Sequence, residues 1–190
     1  MANLTQVARI IKSEVVLVTI GIISISVFAL AIFGLLNRSK TPSTPPGTPW
    51  QDSIFPGFST KEDVESMLGQ PLNITEENEK LIYSYSSEVP TRNHSVYISQ
   101  DKVEIIKEQI TSQNRKNLSE FTQKYGSFDA KVFGYHGSFA PGHFWAKEGI
   151  LVFAGQFDGN VVEIWYFKPT TLNNLLISYP ELKLEEGRNF

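Results

Sequence analysis

The chain contains no cysteine. Disulfides, thiolate metal sites, cysteine nucleophiles and a lipid-modified N-terminal cysteine are thereby excluded. Histidine is sparse, with 3 residues, and no G-x-S-x-G elbow, P-loop or dinucleotide-binding glycine pattern is present. Nucleophile-elbow hydrolases and phosphate-cradling enzymes therefore lack their signatures. An excess of basic residues is missing too: from residue 51 onward 13 Lys and Arg stand against 19 Asp and Glu, a balance of −6. A domain of that sign repels phosphate backbones, so nucleic acid is not expected as a partner. What the chain does have is apolar material, 41% hydrophobic and 12% aromatic residues, enough to build a core.

One long stretch carries no charge: Val15 to Leu36, VVLVTIGIISISVFALAIFGLL. As a helix it would cover the roughly 30 Å of a bilayer's hydrocarbon core with its backbone groups internally satisfied. A cleaved signal peptide is the competing reading. Its apolar region is usually shorter, and a cut after Ala29-Leu30-Ala31 would leave Ile-Phe-Gly-Leu-Leu as the new terminus. The expected organisation is a short tail over 1–14, a membrane anchor over 15–36, a linker over 37–50 and a folded domain over 51–190. Within the domain, halves at about 51–112 and 113–180 are expected. In the linker Pro42, Pro45, Pro46 and Pro49 favour an extended spacer. Arg9 and Lys12 before the anchor balance Arg38 and Lys40 after it, so charge leaves the orientation open. The terminal amine and the polar stalk favour a cytoplasmic N-terminus, hence a single-pass inner or plasma membrane protein with its domain outside.

The domain opens on IFPGFSTKEDVESMLGQP. Ser59 with Glu62 fits a capping box; Val64, Met67 and Leu68 share a face, and Gly69 followed by Pro71 ends the helix. Strands are expected over 81–87, 94–99 and 103–110, the last two joined at Gln100-Asp101-Lys102. A second helix with Leu118, Phe121 and Tyr125 on one face ends at Gly126. Strand-like runs follow over 131–135, 143–146, 150–154 and 161–167, then a short helix capped by Thr170 or Thr171. The fold class expected is α+β: an N-terminal transmembrane helix plus two α-β-β-β repeats forming an antiparallel sheet packed against short helices.

Several of these stretches together resemble the BamE/SmpA-type module, whose architecture is shared by the tandem repeats of the β-lactamase inhibitor protein. They are Pro56-Gly57-x-Ser59-Thr60-Lys61-Glu62-Asp63-Val64, Leu68-Gly69-Gln70-Pro71, Tyr83-x-Tyr85, Val96-Tyr97-Ile98 and Asp101-Lys102-Val103. The resemblance implies an extracytoplasmic non-enzyme that binds other proteins through a sheet face or loops. Members of that outer-membrane assembly group carry lipid on a cysteine, which this chain does not have.

The most distinctive local feature is the loop GYHGSFAPGHFWAKEG over 134–149. His136, Phe139, His143 and Trp145 are its candidate partner-binding residues, because aromatic rings with polar handles on loops serve protein interfaces and sugar stacking. The same rings also suit a core, and Phe144 and Trp145 fit a strand. His136, His143 and Glu148 could form a zinc site, but their spacing matches no established ligand pattern. No metal or cofactor is therefore expected. The function expected is a membrane-anchored, extracytoplasmic protein-binding or scaffolding module without catalysis. A receptor domain for a small ligand or glycan, and a histidine-based metal-dependent enzyme, are the alternatives.

Overall fold

The computed structural model describes residues 44–88 and 91–185. The first helix, α1 (Lys61–Leu68), is short and polar outside, with Val64 its one buried residue. Its N-cap is Thr60, whose hydroxyl accepts from the Asp63 amide while the Asp63 carboxylate accepts from the Thr60 amide. This reciprocal box replaces the expected Ser59–Glu62 pair. Ser59 is used otherwise: its hydroxyl accepts from the Phe55 amide and its carbonyl from the Val103 amide.

Four strands follow: β1 (Asn73–Glu77), β2 (Lys80–Tyr85), β3 (His94–Ser99) and β4 (Lys102–Gln109). Both the β1–β2 and the β3–β4 turns hold two consecutive left-handed residues, Asn78-Glu79 and Gln100-Asp101. That backbone matches the natural twist of a two-residue hairpin. Next come α2 (Leu118–Tyr125), capped by Asn117 and Glu120, then β5 (Ala130–Val132), β6 (Gly142–Trp145), β7 (Ile150–Ala154), β8 (Val161–Phe167) and α3 (Leu172–Ser178), capped by Thr171.

All eight strands form one antiparallel sheet in the order β1-β2-β3-β4-β8-β7-β6-β5. The expected fold class is corrected by this finding. In place of a transmembrane helix and two α-β-β-β repeats, the described residues form a single continuous, mostly β structure with three short helices. Two physical reasons account for the difference. Strand β1 is exposed along its whole length, so it carries no apolar alternation to betray it. At the centre β4 pairs directly with β8, Ile105 opposite Phe167 and Gln109 opposite Glu163, which fuses the halves into one sheet. The segment Val15 to Leu36 lies outside the described residues. Among the described residues no helix is long and apolar enough to cross a membrane.

The two faces of the sheet are packed differently. On one, Val96, Ile106, Val152, Ile164 and Trp145 bury against Val64 and Leu68 of α1 and Leu118, Phe121 and Tyr125 of α2. On the other, Phe144, Leu151, Phe153 and Trp165 bury against Leu172, Leu175 and Leu176 of α3 and against Leu182. Alternation along β7 and β8 sends successive side chains into these two cores, which is why both strands read as nearly continuous apolar runs. The end of the proline-rich segment is packed as well. Trp50 is buried, Thr48 N–H donates to the Glu148 carbonyl at 2.8 Å, and the Thr48 hydroxyl reaches Tyr125 Oη at 3.4 Å.

Candidate functional site

The four residues singled out in the 134–149 loop are distributed rather than gathered. Trp145 is core: 2% exposed on β6, its indole N–H donates to the Gly126 carbonyl at 3.0 Å just past α2. His143 is buried two residues earlier, on the same face, with Nδ1 3.3 Å from the Val152 carbonyl and its ring edge-on to Phe128. Burial lowers its pKa, with the carbonyl contacts opposing the shift. Phe139 is 72% exposed on the loop between β5 and β6. His136 lies against Phe153, a residue of the opposite core. The sheet thus separates His136 from His143, and among the described residues no group of three or more metal-ligating side chains converges.

His136 belongs to a constellation that sequence reasoning did not reach. At its centre is Glu163, a carboxylate in the middle of β8 that is 1% exposed. Gln109 Nε2 donates to Glu163 Oε1 at 2.7 Å, while the Tyr135 hydroxyl and His136 Nε2, at 3.0 Å, both reach Oε2. Burial pushes the Glu163 carboxyl up, but the bonds from His136, Tyr135 and Gln109 outweigh it and hold the pKa below the ordinary value. The carboxylate is therefore ionised, and His136 Nε2 is the donor of that pair. Enclosure of the hydroxyl end of Tyr135, reinforced by the charge of Glu163, raises that phenol far out of its usual range although most of the ring is exposed. The signal in the sequence was one acid inside the apolar run Val161-Val162-Glu163-Ile164-Trp165, where burial without a partner is prohibitive.

Above this constellation opens a cleft of about 550 Å³ lined by Arg92, Asn93, Ser95, Gln109, Tyr135 and His136, among others. Lys107 is paired with Ser95 across β3 and β4, and its ammonium stacks over Trp165 at 4.0 Å and over Tyr97 at 5.1 Å. Burial lowers the Lys107 pKa, with Glu163 opposing.

On the other face a second cavity, of about 360 Å³, lies between the Thr48–Trp50 segment, α2 and the sheet. There Tyr166 Oη donates to Glu108 Oε2 at 2.6 Å, and Lys116 Nζ donates to both Glu108 oxygens at 3.2 and 3.3 Å. Burial raises the Tyr166 phenol well above its ordinary value, with the Glu108 charge adding to it. Neither cluster pairs a nucleophile with a free base. Both are saturated hydrogen-bond networks of the kind that fix side chains.

A further surface lies at the loop end of the sheet. The Gln156 amide donates to the Phe139 carbonyl at 3.1 Å, which ties the β7–β8 turn to the β5–β6 loop. Phe157, in that turn, is 95% exposed.

No protein-family model matches the chain, and no curated protein matches it. Among solved structures, the chain is similar to a DUF4309 family protein from Bacillus subtilis subsp. subtilis (15% identity, TM-score 0.44, covering 65% of this chain and 88% of that one). It is also similar to a protein described as a cysteine-rich secretory protein from Staphylococcus aureus subsp. aureus (12%, TM-score 0.45, 74% and 52%). A third is an extracellular protein containing an SCP domain from Bacillus anthracis str. Ames (10%, TM-score 0.47, 81% and 55%). The chain spans about half the length of the last two. The expected description as a single-pass protein of the inner or plasma membrane is corrected on one ground: among the described residues no helix is long and apolar enough to cross a membrane.

Proposed function

We propose that the domain is a non-catalytic protein-binding module that engages its partner through the loop end of the sheet. The observation that carries this reading is the pairing of two exposed phenylalanines, Phe139 and Phe157, on loops joined by a backbone hydrogen bond. Large aromatic side chains presented to solvent on a rigid scaffold are the anchor chemistry of protein interfaces. The loops can carry such residues because the cores beneath them, around Phe153 and Trp145, are complete without them. Site-specific photocrosslinking in the native cells tests the reading. A benzophenone side chain at Phe157 should give a discrete protein adduct, weakened by Phe139→Ala, whereas the same probe at Ile177, an exposed apolar residue of α3, should not. Identical adducts from both positions, or none from Phe157, would remove the assignment.

A further inference from the structure

We propose that the cleft formed by Arg92, Asn93, Ser95, Gln109, Tyr135 and His136 is a binding site for a small oxyanion, a carboxylate or phosphate group carried on a polar ligand. This site is separate from the Phe139–Phe157 surface and does not depend on it.

The sign of the ligand follows from which groups are already spent. The one carboxylate behind the cleft, Glu163, is closed to solvent, and both its oxygens accept hydrogen bonds from the cleft's own side chains. It has no accessible lone pair with which to hold a cation. Its effect is to fix the wall: Gln109, Tyr135 and His136 are each pinned by one bond to it. What the lining leaves available is donor-rich, namely the Arg92 guanidinium, the Asn93 amide and the Ser95 hydroxyl. A guanidinium presents paired N–H groups that match the two oxygens of a carboxylate or phosphate. Lys107, opposite Ser95 in the sheet, is not part of the lining: its ammonium lies over Trp165 and Tyr97 and is offset by the charges of Glu163, Glu181 and Glu77. Arg92 is the charged donor of the lining, in a domain whose balance from residue 51 onward is −6. A guanidinium flanked by hydroxyl and amide donors, with the nearby carboxylate closed off, selects an anion. The volume of about 550 Å³ suits a ligand of sugar or amino-acid size. The Tyr135 ring, 64% exposed with its hydroxyl tied inward to Glu163, offers that ligand a stacking face.

Calorimetric titration of the full chain with inorganic phosphate and, separately, with glucuronate tests the proposal and distinguishes its two sources. Saturable binding of either is expected, weakening with added salt. Arg92→Ala, at an exposed position, should keep the wild-type melting temperature and lose about tenfold or more in affinity, the scale of a charge-assisted hydrogen-bond pair. Arg115→Ala, an exposed arginine outside the cleft, should bind as wild type. Phosphate binding alone identifies a phosphorylated ligand, and glucuronate binding alone a carboxylate. Binding of neither anion, or equal losses in Arg92→Ala and Arg115→Ala, would overturn the site.

Discussion

Gln109 and Glu163 face each other across the β4–β8 seam, and the Gln109 side-chain amide donates to Glu163 Oε1 at 2.7 Å. This cross-strand pair sits where the two halves of the sheet join, and Tyr135 and His136 complete it from the β5–β6 loop. A buried carboxylate held by three donors is costly to remove, because each donor then loses its partner. Glu163→Ala should therefore destabilise the protein by about 3–5 kcal/mol in urea denaturation. Gln109→Ala, which leaves two donors on the carboxylate, should cost less. Equal and small losses in both variants would show that the network contributes little.

The same carboxyl gives an acid-side signature. Its folded pKa lies below the ordinary value of 4.5, so the unfolded chain takes up this proton first as pH falls. The contribution is fully present above about pH 4.5 and is lost as pH drops through the folded pKa. Stability measured from pH 6 down to pH 3 should thus fall more steeply in wild type than in Glu163→Gln. Parallel curves would mean that Glu163 keeps an ordinary affinity for protons in the fold.

Two histidines act nearer neutrality. His94 Nδ1 accepts the Gln109 backbone N–H at 3.1 Å and so must be unprotonated, and His143 is buried beside Phe128. Burial lowers both pKa values from 6.5. Below pH 6.5 the unfolded chain protonates these rings while the folded protein resists, so stability declines as pH falls from there towards the folded pKa values. His94→Gln with His143→Gln should flatten the stability profile between pH 7 and pH 5, whatever it does to absolute stability. An unchanged slope would contradict the assignment.

Much of the local structure was legible from the sequence because its signals are local. The strands β3, β7 and β8 carry apolar runs bounded by turn residues, and they lie where those runs predict. The Ser59-Thr60-Lys61-Glu62-Asp63 segment presents two overlapping capping boxes, and sequence alone has no means to choose between them. Tertiary structure does: Ser59 is occupied by Phe55 and Val103, and Thr60 bridges to Lys102, so the helix starts one residue later. Strand β1, NITEE, has two glutamates and no buried face, and exists because β2 supplies its hydrogen bonds. The candidate site was hardest to read for a similar reason. Glu163, Gln109 and His136 are far apart in sequence and meet only because β4 pairs with β8. His136 and His143, close in sequence, are separated because the β5–β6 loop carries His136 onto the Glu163 face while β6 turns His143 to the other face.

Two glycines separate backbone strain from crowding. Gly69 ends α1 with φ +76° and ψ −163°, in a region that side chains avoid, yet a Cβ there would meet nothing within 4 Å. Gly149, with φ +62°, would place a Cβ 2.0 Å from the carbonyl oxygen of Phe167, the last residue of β8, whose N–H donates to the Gly149 carbonyl at 2.8 Å. Gly69→Ala should cost about 1–3 kcal/mol from backbone strain alone. Gly149→Ala should cost more, because β7 and β8 must also shift apart. The reverse order in a denaturant titration would disprove this account.

The aromatic residues divide into those that hold the fold and those free to bind. Trp145 fills the core under α2 and spends its N–H on the Gly126 carbonyl, so Trp145→Ala should lower stability by about 3–5 kcal/mol. Phe139 and Phe157 stand in solvent, where truncation removes little packing, and their double alanine variant should melt within a degree or two of wild type. Binding should respond in the opposite sense. Loss of two exposed aromatic anchors should weaken capture of the crosslinked partner by tenfold or more, since such residues carry most of an interface's energy. Retention of full partner affinity by Phe139→Ala/Phe157→Ala, with its stability intact, would move the binding surface away from the loop end of the sheet. The half-buried face around Tyr97 and Lys107 would then be the next place to mutate.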